Sequence, residues 1–213
     1  MRKIYPIILI FGFLKCSTWD NDEGYQPPPE LSTSEITTTE FPPLPDIQIN
    51  TYSAEIVDDP KIKGYLEIYQ GDDKIEEHNI GIEIRGSSSQ FFDKKSYGFE
   101  TWDEEGEDLN VSLAGYPEEE DWILYGPYSD KSLIRNVLIY NLSNQIGRYA
   151  TKTKLYNLSI NNEFLGVYVL MEKIKRDKNR VDISKNKPED ISGGYIIKID
   201  KPTGDGDSFN SDI

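Results

Sequence analysis

The sequence predicts an α+β domain built from a largely antiparallel sheet and one main packed helix. Short segments alternate between apolar and polar residues, a pattern typical of strands with one buried face. Only one segment, beginning at Ser129 or Asp130, repeats apolar residues at helical spacing. The chain is 37% hydrophobic and 12% aromatic, which allows a core of moderate size.

Eight segments are predicted to be strands. The clearest is IGIEI, which places three isoleucines on one face of a strand. Asn161 and Asn162 predict a tight hairpin between two others. The predicted strands cover residues 47–51, 64–69, 80–84, 97–102, 122–125, 155–160, 164–171 and 194–200.

The helix is predicted from its apolar spacing and from its ends. Ser129 or Asp130 is a suitable N-cap, and Gly147 suits the C-cap. The apolar side chains are expected to face the sheet and hold the helix on it. They are Leu133, Ile134, Val137, Leu138, Leu142 and Ile146.

The first sixteen residues predict an export signal. Arg2 and Lys3 precede a short apolar run that is about half of the ~20 residues needed to span a bilayer. Cys16 follows this run directly, and an acidic cluster follows Cys16. This arrangement resembles a bacterial lipoprotein signal in which Cys16 carries the lipid. The sequence therefore predicts a protein exported to the outer membrane or cell surface and anchored by a lipid.

Residues 17–45 predict a tether. They are rich in Pro, Ser and Thr and have few apolar residues, so they cannot bury enough surface to become ordered. The predicted organisation is a signal peptide over residues 1–16, a disordered tether over 17–45 and a folded domain over 46–213.

Charge and composition exclude several classes of function. The formal net charge of −15 argues against nucleic acid and anionic membrane surfaces as partners, because both would repel the chain. One His and one Cys exclude most zinc sites, and they exclude Ser-His-Asp and Cys-His catalysis unless His78 is the base. No catalytic residue and no metal ligand is predicted.

A glycine- and serine-rich loop is the first candidate site. Residues 85–89 (RGSSS) follow a predicted strand, and Lys94 and Lys95 open the next one. Such a loop can turn backbone N–H groups toward a phosphate that a lysine also reaches. An ordinary surface turn beside a basic pair is the alternative.

Arg135 and Asn136 are polar residues beside the apolar stripe of the helix. Arg135 could pair with a carboxylate and hold the helix on the sheet. Alternatively, the start of the helix could form part of a site. Position in the sequence leaves both interpretations open.

The strand that ends at Glu172 passes from apolar into charged sequence. Its end could border a nucleotide pocket, or it could be a core strand that leaves for solvent. The basic residues 173–180 could contact phosphate or an acidic partner, or form a solvated loop. The acidic residues 118–121 are expected to be exposed.

The motifs together resemble the spore coat protein H (CotH) kinase-like family. They are RGSS with KKSY, then DWIL, then DKSLIRN, then GVYVLME, in this order over residues 46–201. The resemblance implies the front portion of an atypical kinase-like fold and ATP-dependent phosphotransfer to Ser or Thr with Mg²⁺. It implies a nucleotide site near Arg85, Lys94, Lys95, Arg135, Asn136 and Glu172, with Lys95 or Lys94 facing phosphate.

The resemblance also implies acidic residues that this sequence does not show in the domain. Family members continue with an Asp that acts on the substrate hydroxyl and a Trp-Asp motif whose Asp holds Mg²⁺. The sequence therefore predicts a chain that is inactive by itself. The alternative is a non-catalytic surface lipoprotein that binds a protein or glycan through a tyrosine-rich face.

Overall fold

The structure is a computed structural model, and it describes residues 42–187, 189 and 192–197. The predicted signal peptide, Cys16 and most of the predicted tether lie outside these residues. Among the described residues, no helix has the length and apolar character needed to cross a membrane.

Seven strands and one α-helix form from the described residues. The strands are β1 (Asp46–Asn50), β2 (Ile62–Gln70), β3 (Asp73–Arg85), β4 (Ser96–Trp102), β5 (Asp121–Tyr125), β6 (Thr153–Ile160) and β7 (Glu163–Glu172). The helix, α1 (Arg135–Gln145), lies between β5 and β6 in the chain. Seven of the eight predicted strand segments therefore form strands. Residues 194–197 of the eighth are not in a strand, and its remainder lies outside the described residues.

The strands close into a barrel in the order β1-β2-β3-β4-β5-β7-β6. All neighbouring pairs are antiparallel except β1 and β6, which run parallel and close the barrel. The predicted α+β fold is therefore wrong. A parallel pair between strands far apart in the sequence joins both edges of the sheet, and alternating patterns within single strands do not reveal such pairing.

The barrel interior forms the main core. Every second side chain along each strand points into the barrel, because successive side chains of a strand point to opposite faces. Trp122, Tyr168 and Phe99 are the largest fully buried side chains, and aliphatic residues fill the space between them. Asn161 and Asn162 both have positive φ in the β6–β7 turn, as the predicted tight hairpin requires.

The helix lies on the outside of the barrel and buries none of its residues fully. Val137 and Tyr140 pack against a small cluster of Ile123, Val169 and Met171 on the outer face of β5 and β7. The predicted apolar stripe instead faces outward at Ile134, Leu138, Leu142 and Ile146, which are 46%, 54%, 45% and 76% exposed. The prediction of one well-packed helix is therefore also wrong.

The strand register defines two ends of the barrel. Arg85 pairs with Ser96, and Tyr125 pairs with Val169, so the end of β3, the start of β4 and the end of β5 lie together. This is called the Arg85 end. Trp122 pairs with Glu172 at the opposite end of the same strands, which is called the Glu172 end.

Candidate functional site

A cavity of about 200 Å³ opens at the Arg85 end. It lies between the loop that follows β3 and the segment that follows β5. One cation, several hydroxyl groups and three aromatic rings surround it. The lining residues are Arg85, Gly86, Ser89, Phe92, Ser96, Tyr125, Gly126, Tyr128 and Ser129.

Arg85 is the cation of this cavity. It is the last residue of β3, its side chain is exposed, and it forms no ion pair with any described residue. A guanidinium can bind phosphate or carboxylate oxygens through two parallel hydrogen bonds. The hydroxyl groups of Ser89 and Ser129 line the same cavity and can donate further hydrogen bonds.

The loop after β3 is folded back on itself. Gly86 has a φ of 111°, a conformation that favours glycine, and residues 88–91 form a short 3₁₀ turn. Gln90 ties the loop down, because its Nε2 donates to the Gly86 carbonyl at 2.8 Å and to Asp58 Oδ1 at 2.7 Å. The loop therefore holds Gly86 and Ser89 at the cavity.

Lys95 supports this loop rather than lining the cavity. Its Nζ donates to the Gln90 carbonyl at 2.6 Å. Lys94 points the other way, toward β7. Its Nζ donates to the Leu165 carbonyl at 3.3 Å and lies 4.5 Å from the centre of the Tyr168 ring. Burial lowers the pKa of Lys94. Both lysines thus lie at the Arg85 end, and neither is among the residues that line the cavity.

Arg135 and Asn136 begin α1, close to the same end. The carboxylate of Asp130 organises this region: Oδ2 accepts from the Arg135 N–H at 2.9 Å, and Oδ1 accepts from the Ser132 hydroxyl at 2.6 Å. Arg135 Nε also lies 3.5 Å from Asp130 Oδ1. Arg135 therefore pairs with a carboxylate in the turn before its own helix, a contact that does not tie the helix to the sheet, and Ser129 joins this turn to the cavity.

Glu172 lies at the opposite end, away from the other five candidates. Its Oε1 is 3.3 Å from Arg180 Nη1, and its Oε2 accepts from the Lys152 N–H at 3.0 Å. The Arg180 guanidinium also covers the Trp122 ring, 4.8 Å from its centre. Both charged side chains are buried. Glu172 is therefore part of an internal ion pair and does not belong to the Arg85 cavity.

The acidic residues 119–121 were expected to be exposed, and the structure differs from this expectation. Glu119 and Asp121 are buried rather than exposed, and Glu120 is half-buried. Lys175 Nζ lies 2.9 Å from Glu119, 2.5 Å from Glu120 and 2.8 Å from Asp121. Lys173 Nζ lies 2.6 Å from Asp121. The basic stretch after β7 thus neutralises the acidic stretch before β5.

Burial and ion pairing shift these carboxyl groups in opposite directions. Burial raises the pKa of Glu119 above its usual value. Burial alone would also raise the pKa of Asp121, but its ion pairs with Lys173 and Lys175 outweigh this effect and lower the pKa. The three carboxylates lie close enough together to hold a cation, yet the two lysines already supply the compensating charge.

Sequence reasoning missed Arg180, Trp122 and the lysine–carboxylate cluster. The available signal was a pair of oppositely charged stretches at residues 118–121 and 173–180. The strand register places the start of β5 beside the end of β7, and only this register shows that the two stretches pair with each other.

The comparisons with known proteins identify one family. A model of the family described as CotH kinase protein matches residues 82–212, which is more than half of the chain. None of the curated proteins matches the chain significantly. The matched region begins within β3 and contains Arg85, the glycine–serine loop, the cavity and the helix. The chain belongs to the CotH kinase protein family.

Proposed function

We propose that this chain is the nucleotide-binding part of a CotH-type protein kinase and that its Arg85 cavity binds the phosphate groups of ATP. The observation that carries the proposal is Arg85, which has no ion pair among the described residues and lies beside a glycine–serine loop within the region that matches the family. Phosphate oxygens suit the guanidinium and the serine hydroxyls.

The cavity fits a phosphate group better than it fits Mg²⁺. No carboxylate of the described residues lines it, and hard cations such as Mg²⁺ prefer oxygen ligands that include carboxylates. The acidic cluster at residues 119–121 lies at the other end of the barrel and is neutralised by lysines. We therefore expect the 213-residue chain to bind nucleotide without transferring phosphate.

The binding test uses a fluorescent ATP analogue and inorganic triphosphate as a competitor. Arg85→Ala should weaken binding roughly 10-fold or more, because hydrogen bonds to charged groups contribute about 1.5–3 kcal/mol. Arg148→Ala is the matched control, since it removes the same charge from an exposed position outside the cavity. An equal loss in both variants, or an absence of binding by the parent chain, would contradict the proposal.

The same assay separates the two lysines. Lys95→Met removes the contact with the Gln90 carbonyl that shapes the loop, so it should weaken binding indirectly. Lys94→Met removes a lysine that now contacts Leu165 and Tyr168. If Lys94 turns to meet phosphate, its loss should reduce binding at low salt more than at high salt, since ionic contacts are screened.

We also propose that the protein is exported and anchored through Cys16. The apolar run, the Cys that follows it and the acidic cluster support this proposal. Metabolic labelling with an alkyne fatty acid tests it. The parent chain should become labelled and enter the membrane fraction, whereas Cys16→Ser should do neither. Labelling that persists in Cys16→Ser would show that the anchor lies elsewhere.

A module that binds a protein or glycan through a tyrosine-rich face is the second candidate. It has weaker support, because Tyr97, Tyr116, Tyr156 and Tyr168 lie in the core rather than on a common surface. Their rings serve the fold, so these four tyrosines do not contribute to an aromatic binding face.

A further inference from the structure

The Arg85 cavity is too small to enclose a whole nucleotide. Its volume is about 200 Å³, whereas sites that enclose a small organic ligand typically measure about 300–1,000 Å³. If phosphate groups lie at Arg85, as proposed above, they fill most of this space. The ribose and the base must then lie outside the cavity, where fewer groups of the protein can contact them.

The aromatic rings that line the cavity already have partners within the protein. The Tyr128 ring stacks on Phe92, with 4.7 Å between the ring centres and 16° between the planes. Lys131 Nζ also lies over the Tyr128 ring, 5.0 Å from its centre, and an ammonium group cannot share a face with a stacked ring. Tyr125 packs against the apolar cluster on the outer face of β5 and β7. These contacts leave little ring surface on which a base could stack.

The polar groups of the cavity suit phosphate better than they suit a base. Arg85 and the hydroxyl groups of Ser89 and Ser129 can donate hydrogen bonds to phosphate oxygens. Ser96 is already engaged, because its Oγ accepts from the Gly126 N–H at 3.0 Å. No Asn, Gln, Asp or Glu of the described residues lines the cavity, and these side chains commonly pair with the edges of adenine and cytosine.

Charge favours the same part of the nucleotide. The net charge of −15 repels anions from most of the surface. At the cavity, however, Arg85 forms no ion pair with any described residue, and Lys131 Nζ donates to the Tyr128 carbonyl at 3.1 Å. Two positive charges therefore lie where a chain of phosphates would bind, and each further phosphate group adds attraction.

We propose that the Arg85 cavity recognises the phosphate chain and does not select the base, so that inorganic triphosphate, ATP, GTP and CTP are equivalent ligands. This proposal rests on the proposed function, since phosphate must bind at Arg85. Affinity then depends on the number of phosphate groups, and adenosine does not bind. A base that stacked on a free ring would instead favour ATP over inorganic triphosphate by about 5- to 150-fold.

Competition against a fluorescent ATP analogue tests the proposal with the full chain. EDTA is present, so that no metal ion bridges protein and phosphate. Inorganic triphosphate, ATP, GTP and CTP should compete within about 3-fold of one another, and AMP at least 10-fold more weakly, because it lacks two charged groups. Arg85→Ala should weaken all four by the same factor, and the exposed control Arg148→Ala should weaken none.

Phe91→Ala shows whether a base stacks on the ring that the loop leaves exposed. Phe91 is 90% exposed and is not among the residues that line the cavity. The variant should bind ATP and inorganic triphosphate as the parent does. A loss of affinity for ATP alone would overturn the proposal. Binding of ATP or GTP more than about 10-fold tighter than that of inorganic triphosphate would also overturn it.

These measurements separate this proposal from the proposed function. Binding that depends on Arg85 but prefers one base would leave the proposed function standing and overturn the lack of base selection. Failure of the parent to bind the analogue would overturn both. Thermal melting shows whether Arg85→Ala remains folded. Arg85→Lys keeps the charge, so it should bind all four ligands with intermediate affinity and in the same ratio.

Discussion

At the scale of single residues, the most deeply buried ion pair of the described residues joins Glu172 and Arg180. Their side chains are 1% and 0% exposed. Among the described residues, Arg180 Nε and Nη2 and Trp122 Nε1 have no hydrogen-bond partner. The carboxylate of Glu172 and the face of Trp122 therefore compensate for only part of the hydration that Arg180 loses.

Loss of one partner of this pair should be costly. Glu172→Gln should lower the free energy of unfolding by about 3–5 kcal/mol, because Arg180 would stay buried without a carboxylate. Urea denaturation measures this change. The double variant Glu172→Met with Arg180→Met should recover much of the loss. As a control, Lys74→Ala, which breaks an exposed pair with Glu77, should leave stability almost unchanged.

The acidic cluster predicts a defined dependence of stability on pH. The pKa of Asp121 is lowered in the folded protein, so this carboxyl contributes stability above its unfolded pKa of about 3.9. That contribution is lost as the pH falls through the folded value. The pKa of Glu119 is raised, so its protonation on mild acidification favours the folded state.

Urea denaturation of the parent and of Asp121→Asn between pH 3 and pH 8 tests this dependence. The difference in unfolding free energy should be constant above about pH 5 and should shrink below about pH 4. A difference that already disappears between pH 5 and pH 7 would contradict the lowered pKa of Asp121.

Sequence patterns identified Arg85 as a candidate but could not identify Arg180. Arg85 follows a strand and precedes a glycine, which is a local feature. Arg180 stands among exposed-looking Lys, Asp and Asn residues. Its burial depends on Trp122 and Glu172, which reach it through the pairing of β5 with β7. Local charge patterns contain no information about that pairing.

At the scale of elements, the turn before α1 is held by a single carboxylate. Asp130 accepts from the N–H groups of Ser132 and Arg135 and from the Ser132 hydroxyl. It thus satisfies donors at the start of α1, although the helix begins five residues later, at Arg135. Hydrogen bonds from these groups lower the pKa of Asp130.

Asp130→Ala should therefore loosen the start of α1. The first-turn amides should exchange hydrogen faster, and the melting temperature should fall by roughly 2–4 °C, the size expected for the loss of a helix cap. Asp130→Asn is the control, because its amide oxygen still accepts a hydrogen bond. Equal exchange in Asp130→Ala and the parent would show that the turn is held by other contacts.

The elements were predictable to different extents. Strands β3 to β7 have alternating or continuously apolar sequences, and the structure has strands there. The period of α1 was also recognisable. The direction of its apolar stripe was not. The spacing of apolar residues defines one face of the helix, but it does not show which face packs on the barrel. Here Val137 and Tyr140 make that contact.

At the scale of the whole molecule, closure of the barrel depends on β1. Its residues 46–49 pair with residues 157–160 of β6, and it also pairs with β2. Without β1, the edges of β2 and β6 would lie open. The matched family region begins at residue 82, so β1 and β2 complete the barrel from outside that region.

A pair of truncations tests the importance of β1. The chain that begins at residue 42 should melt cooperatively and elute as a defined species in size-exclusion chromatography. The chain that begins at residue 51 lacks β1 and should aggregate or melt without cooperativity, because two strand edges lie open and the core residues Ile47 and Ile49 are lost. Equal melting of the two chains would show that the barrel tolerates an open seam.

The closing contact also sets a time for folding. Asn161, in the β6–β7 turn, accepts a hydrogen bond from the Thr51 N–H, across 110 residues of chain. At 5–20 residues per second, a ribosome needs roughly 5–20 s to make that intervening length. The first strand synthesised must therefore wait for almost the last one, and through that interval the nascent polypeptide stays unfinished and open to chaperones.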